Sequence, residues 1–177
     1  MSKLGLIVVI MVAIVLIVLV VLQFTAAPPS PPSPPPTNGM AAPDASSVML
    51  DGRKWRLADQ RGKVVLLDFW ATWCPPCVAS IPELKKIHDT FKDHPDFLLV
   101  GVSGDEEKSA LESFIQKREI PWLQLFDMAG DYEMSRKFDV TLIPTTFLID
   151  RQGNIAAKNL PTEQLIKEIE RLLKAPA

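Results

Sequence analysis

Val64-Val65-Leu66-Leu67-Asp68-Phe69-Trp70-Ala71-Thr72-Trp73-Cys74-Pro75-Pro76-Cys77 is the stretch on which the reading of this chain turns. From Val64 to Trp70 the run is aliphatic and aromatic with one acid inside it, the pattern of a strand buried on both faces. Cys74 and Cys77 are the only two cysteines among 177 residues. Where a strand gives way to a helix, two thiols three residues apart close a disulfide with little backbone movement, so the pair can store and release two electrons.

Two blander uses compete with that one. A staple closing a loop of about four residues would contribute roughly 2 kcal/mol, against roughly 3 for a fifteen-residue loop. Zinc wants four ligands and copper sites commonly add imidazole. There is no second cysteine pair, and His88 and His94 fall in a helix pattern and a turn, in no ligand motif with the pair. No metal is expected, and no cofactor beyond the Cys74–Cys77 disulfide itself.

Working outward, the pair opens a helix through about Phe91, with Ile81, Leu84, Ile87 and Phe91 on its apolar face and Pro82 expected to kink it. Phe97 to Val102 reads as a second buried strand, Lys108 to Arg118 as a helix and Thr145 to Ile149 as a third strand. Asp150-Arg151-Gln152-Gly153 turns into a short strand at Asn154 to Ala157, and Thr162 to Lys174 is the last helix. Ahead of the motif, Val48-Met49-Leu50 and Arg53-Lys54-Trp55-Arg56 flank Asp51-Gly52, the signal of a tight hairpin. The fold class is α/β, a mixed sheet with helices on both faces.

Leu4 to Leu22 is an unbroken apolar run, long enough to cross a bilayer, and residues 1–24 are assigned to an N-terminal transmembrane anchor. A cleaved signal peptide has a shorter apolar stretch, and Pro28 directly follows the weak site Thr25-Ala26-Ala27. Lys3 precedes the run and no charge follows it until Asp44, so the N-terminus is placed in the cytoplasm and the rest in a periplasm or its equivalent. The lack of a third thiol suits that oxidising space. Seven of the nine residues from Pro28 to Pro36 are proline, and residues 25–43 are read as a spacer reaching up to about 45 Å. Residues 44–177 form one domain carrying all 21 acidic residues and 18 of the 19 basic ones, a net charge of 18 − 21 = −3. That argues against nucleic acid as a partner, and a monomer is the default.

Leu66 to Thr72 leading into Trp73-Cys74-Pro75-Pro76-Cys77, with the later Ile143-Pro144-Thr145-Thr146-Phe147-Leu148-Ile149-Asp150, resembles the thioredoxin fold. The segment between them is long enough for an extra strand and helix. With the anchor ahead, the chain resembles the TlpA/ResA-like branch of membrane-tethered thioredoxins over most of Val48 to Lys174. The resemblance implies a thiol-disulfide oxidoreductase acting on protein disulfides, with apocytochrome c in cytochrome c maturation as one such substrate, supplied with electrons by an integral membrane thiol donor. It also implies a cis Pro144, which exposes the backbone of Ile143 to an extended substrate. Asp68 is the implied proton acceptor for the resolving thiol.

An unperturbed cysteine, pKa about 8.5, is only about 3% ionised at pH 7. At a helix N-cap, Cys74 gains stabilisation as a thiolate, and Cys77, one turn inside, resolves the mixed disulfide. Pro75 and Pro76 offer no N–H in the first helical positions, so the thiolate loses donors and the couple should be less oxidising, that of a reductase. Asp68 is an acid costly to bury unpaired. Trp73 either covers or presents the nucleophile or packs on the sheet, whereas Trp55, Trp70 and Trp122 are expected in the core or its rim. One departure stands out: ResA-like members tied to cytochrome c maturation usually carry glutamate where this chain has Ser80, and the next acid is Glu83. Competing readings are an oxidase or isomerase on the same fold, a copper-handling module, and a peroxiredoxin-like peroxidase. The last would need its threonine three residues before a lone cysteine, and Thr72 is two before Cys74.

Overall fold

The computed structural model describes residues 5, 11–17 and 38–175. The chain divides into two units, Met1–Pro34 and Pro35–Ala177, and the fold and the site lie in the second. The expected transmembrane segment and proline spacer fall largely outside the described residues. Residues 11–17 are helical, and among the described residues no helix is long and apolar enough to cross a membrane.

Among the described residues the second unit holds seven strands and four α-helices, besides two short 3-10 turns: β1 (Ser46–Met49), β2 (Lys54–Arg56), β3 (Val64–Trp70), α1 (Pro75–Phe91), β4 (Phe97–Ser103), α2 (Lys108–Arg118), β5 (Leu123–Phe126), α3 (Glu133–Lys137), β6 (Thr145–Ile149), β7 (Ile155–Lys158) and α4 (Thr162–Lys174). The sheet runs β2-β1-β5-β4-β3-β6-β7. β3 lies between β4, parallel to it, and β6, antiparallel to it. That central place explains its composition, since all seven of its residues are buried. Alternation sends Val64, Leu66 and Trp70 to a core with Ile81, Ile87, Leu111 and Ile169 of α1, α2 and α4. Val65, Leu67 and Phe69 go to the opposite core with Met134 of α3, Phe138 and Phe147. By the same alternation Asp68 falls on the α1 and α4 side.

Two local features differ from the sequence reading. The hairpin does not close as a two-residue turn: Met49 N–H donates to Arg53 O at 2.8 Å and Gly52 N–H to Met49 O at 2.9 Å, which makes a three-residue loop. Only Gly52, at φ +86°, enters the left-handed region there. Also, β5 and α3, to which the sequence reading gave no residue bounds, lie between α2 and β6, in the segment whose length allowed an extra strand and helix. Buried Asp127 caps α3, accepting from the N–H groups of Met134 at 3.1 Å and Ser135 at 2.9 Å and from Ser135 Oγ at 2.7 Å. At the far edge, Gly39 N–H donates to Ile155 O and Ile155 N–H to Met40 O, so the chain entering the unit covers β7.

Candidate active site

The cysteine pair sits where β3 leaves the sheet. Cys74 N–H closes a turn onto Ala71 O at 3.2 Å, and Gly104 N–H, just past β4, holds Trp70 O at 2.9 Å. Cys74 has extended dihedrals as the N-cap of α1, and its Sγ accepts from Cys77 N–H at 3.3 Å. Pro75 and Pro76 follow the cap, so that N–H is the first backbone donor the sulfur meets. The two cysteines are joined in a disulfide with their Cα atoms 5.3 Å apart. Both are buried, Cys74 4% exposed and Cys77 1%.

β6 brings the second motif to the same place. The Ile143–Pro144 peptide is cis, and Ile143 O lies 3.9 Å from Cys74 Sγ. Thr145 Oγ1 donates to Leu142 O at 2.8 Å, fixing the loop just before the strand. Trp73 does not pack on the sheet: it is 65% exposed beside Cys74, and Leu142, next to Ile143, is 79% exposed. Trp55, Trp70 and Trp122 are all buried.

Asp68 is in register with Gly101 of β4 and Thr146 of β6. Its carboxyl is buried with no hydrogen bond or ion pair among the described residues, and that burial pushes its pKa up from 3.8 to about 7. It opens into a cleft of about 370 Å³ between α1 and α4, lined also by Ser80, Glu83, Pro144, Asn159 and Thr162. Asp68 and Pro144, far apart in sequence, thus share one cavity with Ser80 and Glu83. Ser80 Oγ donates to Cys77 O at 2.8 Å, and exposed Glu83 accepts a hydrogen bond from Thr162 Oγ1 of α4. A carboxyl near neutrality that opens into a cleft can take up and return a proton, and this cleft meets the cysteine helix at Ser80, whose hydroxyl holds the Cys77 carbonyl.

The histidines are engaged elsewhere, His88 against the Trp122 ring with centroids 5.9 Å apart, His94 accepting from Asp96 N–H at 3.2 Å. Among the described residues no three His, Cys, Asp or Glu side chains are grouped to hold a metal.

Residues missed at the sequence level include Gln124 and Asp105. Trp70 Nε1 donates to Gln124 Oε1 at 3.0 Å, and the amide fits only because Gly101 beside it has no side chain, since a Cβ there would lie 2.1 Å from Oε1. A polar residue inside an apolar run and a glycine mid-strand are the signals, but they pair across two strands. Asp105 binds Thr72, in the turn before Cys74.

Residues 37–173 match the Redoxin family. The chain belongs to that family. Within it, the chain is similar to the thiol-disulfide oxidoreductase ResA of Geobacillus kaustophilus, 34% identical over 138 residues that cover 77% of this chain and 76% of that one. It is also similar to the thioredoxin-like protein YneN of Bacillus subtilis, 32% identical over 136 residues, 76% of this chain and 78% of the relative. Among solved structures, the thioredoxin domain of a thiol-disulfide oxidoreductase from Bacteroides vulgatus superposes with a TM-score of 0.70 at 29% identity, covering 78% of this chain and 99% of that one. With its Cys74–Cys77 disulfide, the chain is a TlpA/ResA-like member of the thioredoxin superfamily and a thiol-disulfide oxidoreductase.

Proposed function

We propose that this Redoxin is a membrane-tethered, extracytoplasmic reductase of protein disulfides. The observation that carries the reading is the placement of Cys74 Sγ at the cap of α1, beside the Ile143 carbonyl, with Cys77 one turn behind it. The Cys74 thiolate attacks one sulfur of a substrate disulfide, a mixed disulfide forms, and the other substrate sulfur leaves and takes a proton. Asp68, through its cleft, accepts the Cys77 proton. Cys77 then attacks Cys74, the Cys74–Cys77 bond closes and the substrate leaves as a dithiol, two electrons richer. An integral membrane thiol donor on the other side of the cycle reopens the bond.

An extended substrate peptide pairs with the Ile143 backbone ahead of Pro144, and exposed Trp73 presents the nucleophile to it. The reducing direction is supported by Pro75 and Pro76, which leave the sulfur one donated N–H at 3.3 Å. Apocytochrome c is a substrate in keeping with Glu83, which opens on the cleft that holds Ser80 and so can serve for the acid absent there. The membrane anchor is supported by the exposed apolar side chains of helical residues 11–17.

Titrating the pair against dithiol and disulfide buffers tests the direction. A potential near the thioredoxin value of about −270 mV is expected, and one near the strong-oxidant value of about −120 mV refutes the reductase. Cys77→Ala should hold substrates as mixed disulfides on Cys74, and their identity tests the apocytochrome assignment.

A further inference from the structure

Asp105 is a buried carboxylate that the thiol chemistry above leaves unused. It lies two residues past β4, is 2% exposed, and none of the ion pairs among the described residues includes it. Its surroundings add acids: the phenol of Tyr132 is pushed up by burial first, then by the charges of Glu106, Asp127 and Asp105. Compensation comes from hydrogen bonds alone. Thr72 N–H donates to both carboxylate oxygens at 3.2 and 3.1 Å, Thr72 Oγ1 to one of them at 2.6 Å, and Ser103 Oγ to the other at 2.7 Å. Asp105 N–H in turn donates to Ser103 Oγ at 3.0 Å, which ties the carboxylate to the end of β4.

Thr72 is the second residue of the turn that Cys74 N–H closes onto Ala71 O. Two Cα–Cα steps of about 3.8 Å put its Cα within about 7.6 Å of that of Cys74. Both donors of this one residue, N–H and hydroxyl, are spent on a single carboxylate. An acid buried without a cation is costly unless its hydrogen bonds are well made, and here three of them converge on the turn that carries the nucleophile. We propose that Asp105 is a positioning residue for Cys74: through Thr72 it holds the turn that aims Sγ at the Cys77 N–H. A negative charge on Asp105 has the same sign as the thiolate and so works against the anion that the positioned N–H favours. The inference rests on the thiol-disulfide reading of the site.

Opposite responses of two nearly isosteric variants test it. In the full chain carrying Cys77→Ala, Cys74 is the one thiol, and its alkylation by iodoacetamide can be followed against pH. Thr72→Val keeps the Asp105 charge and removes the hydroxyl grip. It should move the profile to higher pH and slow alkylation at neutral pH about tenfold. Asp105→Asn removes the charge and keeps an oxygen on Thr72, so its profile should stay in place or move to lower pH. Loosened packing alone would move both variants the same way. An unshifted Thr72→Val profile, or an Asp105→Asn profile shifted upward, overturns the proposal. Alkylation needs no substrate, so a wild-type protein that failed to catalyse insulin reduction by dithiothreitol would refute the parent reading and leave this result standing.

Discussion

Replacing Asp68 with Asn should remove a pH dependence from the stability of the fold. The Asp68 carboxyl titrates near 7 in the folded chain against 3.8 for the ordinary group. A group whose pKa is raised by folding contributes in full below its unfolded value and loses that contribution as pH climbs through the folded value. Between 3.8 and about 7 lie about three pH units, and at 1.36 kcal/mol each the ionised carboxylate costs the folded state about 4 kcal/mol by pH 8. The neutral amide of Asn mimics the protonated acid at every pH. Urea unfolding of the oxidised protein should therefore show wild type and Asp68→Asn close together near pH 4, with the variant ahead by about 4 kcal/mol near pH 8. A difference that stays flat to within about 1 kcal/mol over that range would refute both the burial argument and the raised pKa. The cost of the substitution should appear in turnover. Release of the mixed disulfide should slow, and the limb of its pH profile that rises through about 7 should vanish.

Gly101→Ala should destabilise the fold by about 1–3 kcal/mol by driving a methyl into the Gln124 amide. The double variant with Gln124→Ala should recover part of that, with Trp70 Nε1 left unpaired, as a double-mutant cycle of unfolding energies would show. Asp127→Ala should cost about 2 kcal/mol or more by uncapping α3, visible as a lowered urea midpoint with an unchanged slope. Trp73→Ala should raise KM for a protein disulfide about tenfold and leave reduction of a small aromatic disulfide within about twofold, since only the former spans the exposed indole. Equal losses on both substrates would place Trp73 in the chemistry and not in docking.

The central strand and the cysteine helix were legible because their signals are local and strong. Seven consecutive apolar-patterned residues mark a strand buried on both faces, and the lone acid among them, Asp68, marks a burial cost. Pro144 was legible for the same reason, as a proline at the mouth of a strand. Less could be drawn from Asp51-Gly52, where the dipeptide marked the hairpin but the choice between two and three loop residues is set by the register of β1 on β2, which the dipeptide alone does not fix. β5 was obscured by Gln124, which interrupts its apolar run and makes sense only with Gly101 on the neighbouring strand. Asp105 looked like one acid in the polar loop Gly104-Asp105-Glu106-Glu107, and its hold on Thr72 arises from the parallel pairing of β3 with β4, which sequence separation hides. Whether Trp73 packed or projected was undecidable from spacing, because the turn at Ala71 sets its direction.

Cys77 lies one turn inside α1, behind Cys74 at the cap, and in the proposed cycle every partner meets the sulfur pair at Cys74. Such a protein has a single berth. In the proposed cycle an electron donor and a disulfide substrate cannot moor together, each must cast off before the other arrives, and steady-state rates with both varied should fall on parallel reciprocal lines. On that cycle an excess of either party blocks the quay for the other, so the relative abundance of the two, as much as the potential of the couple, would govern the current passed.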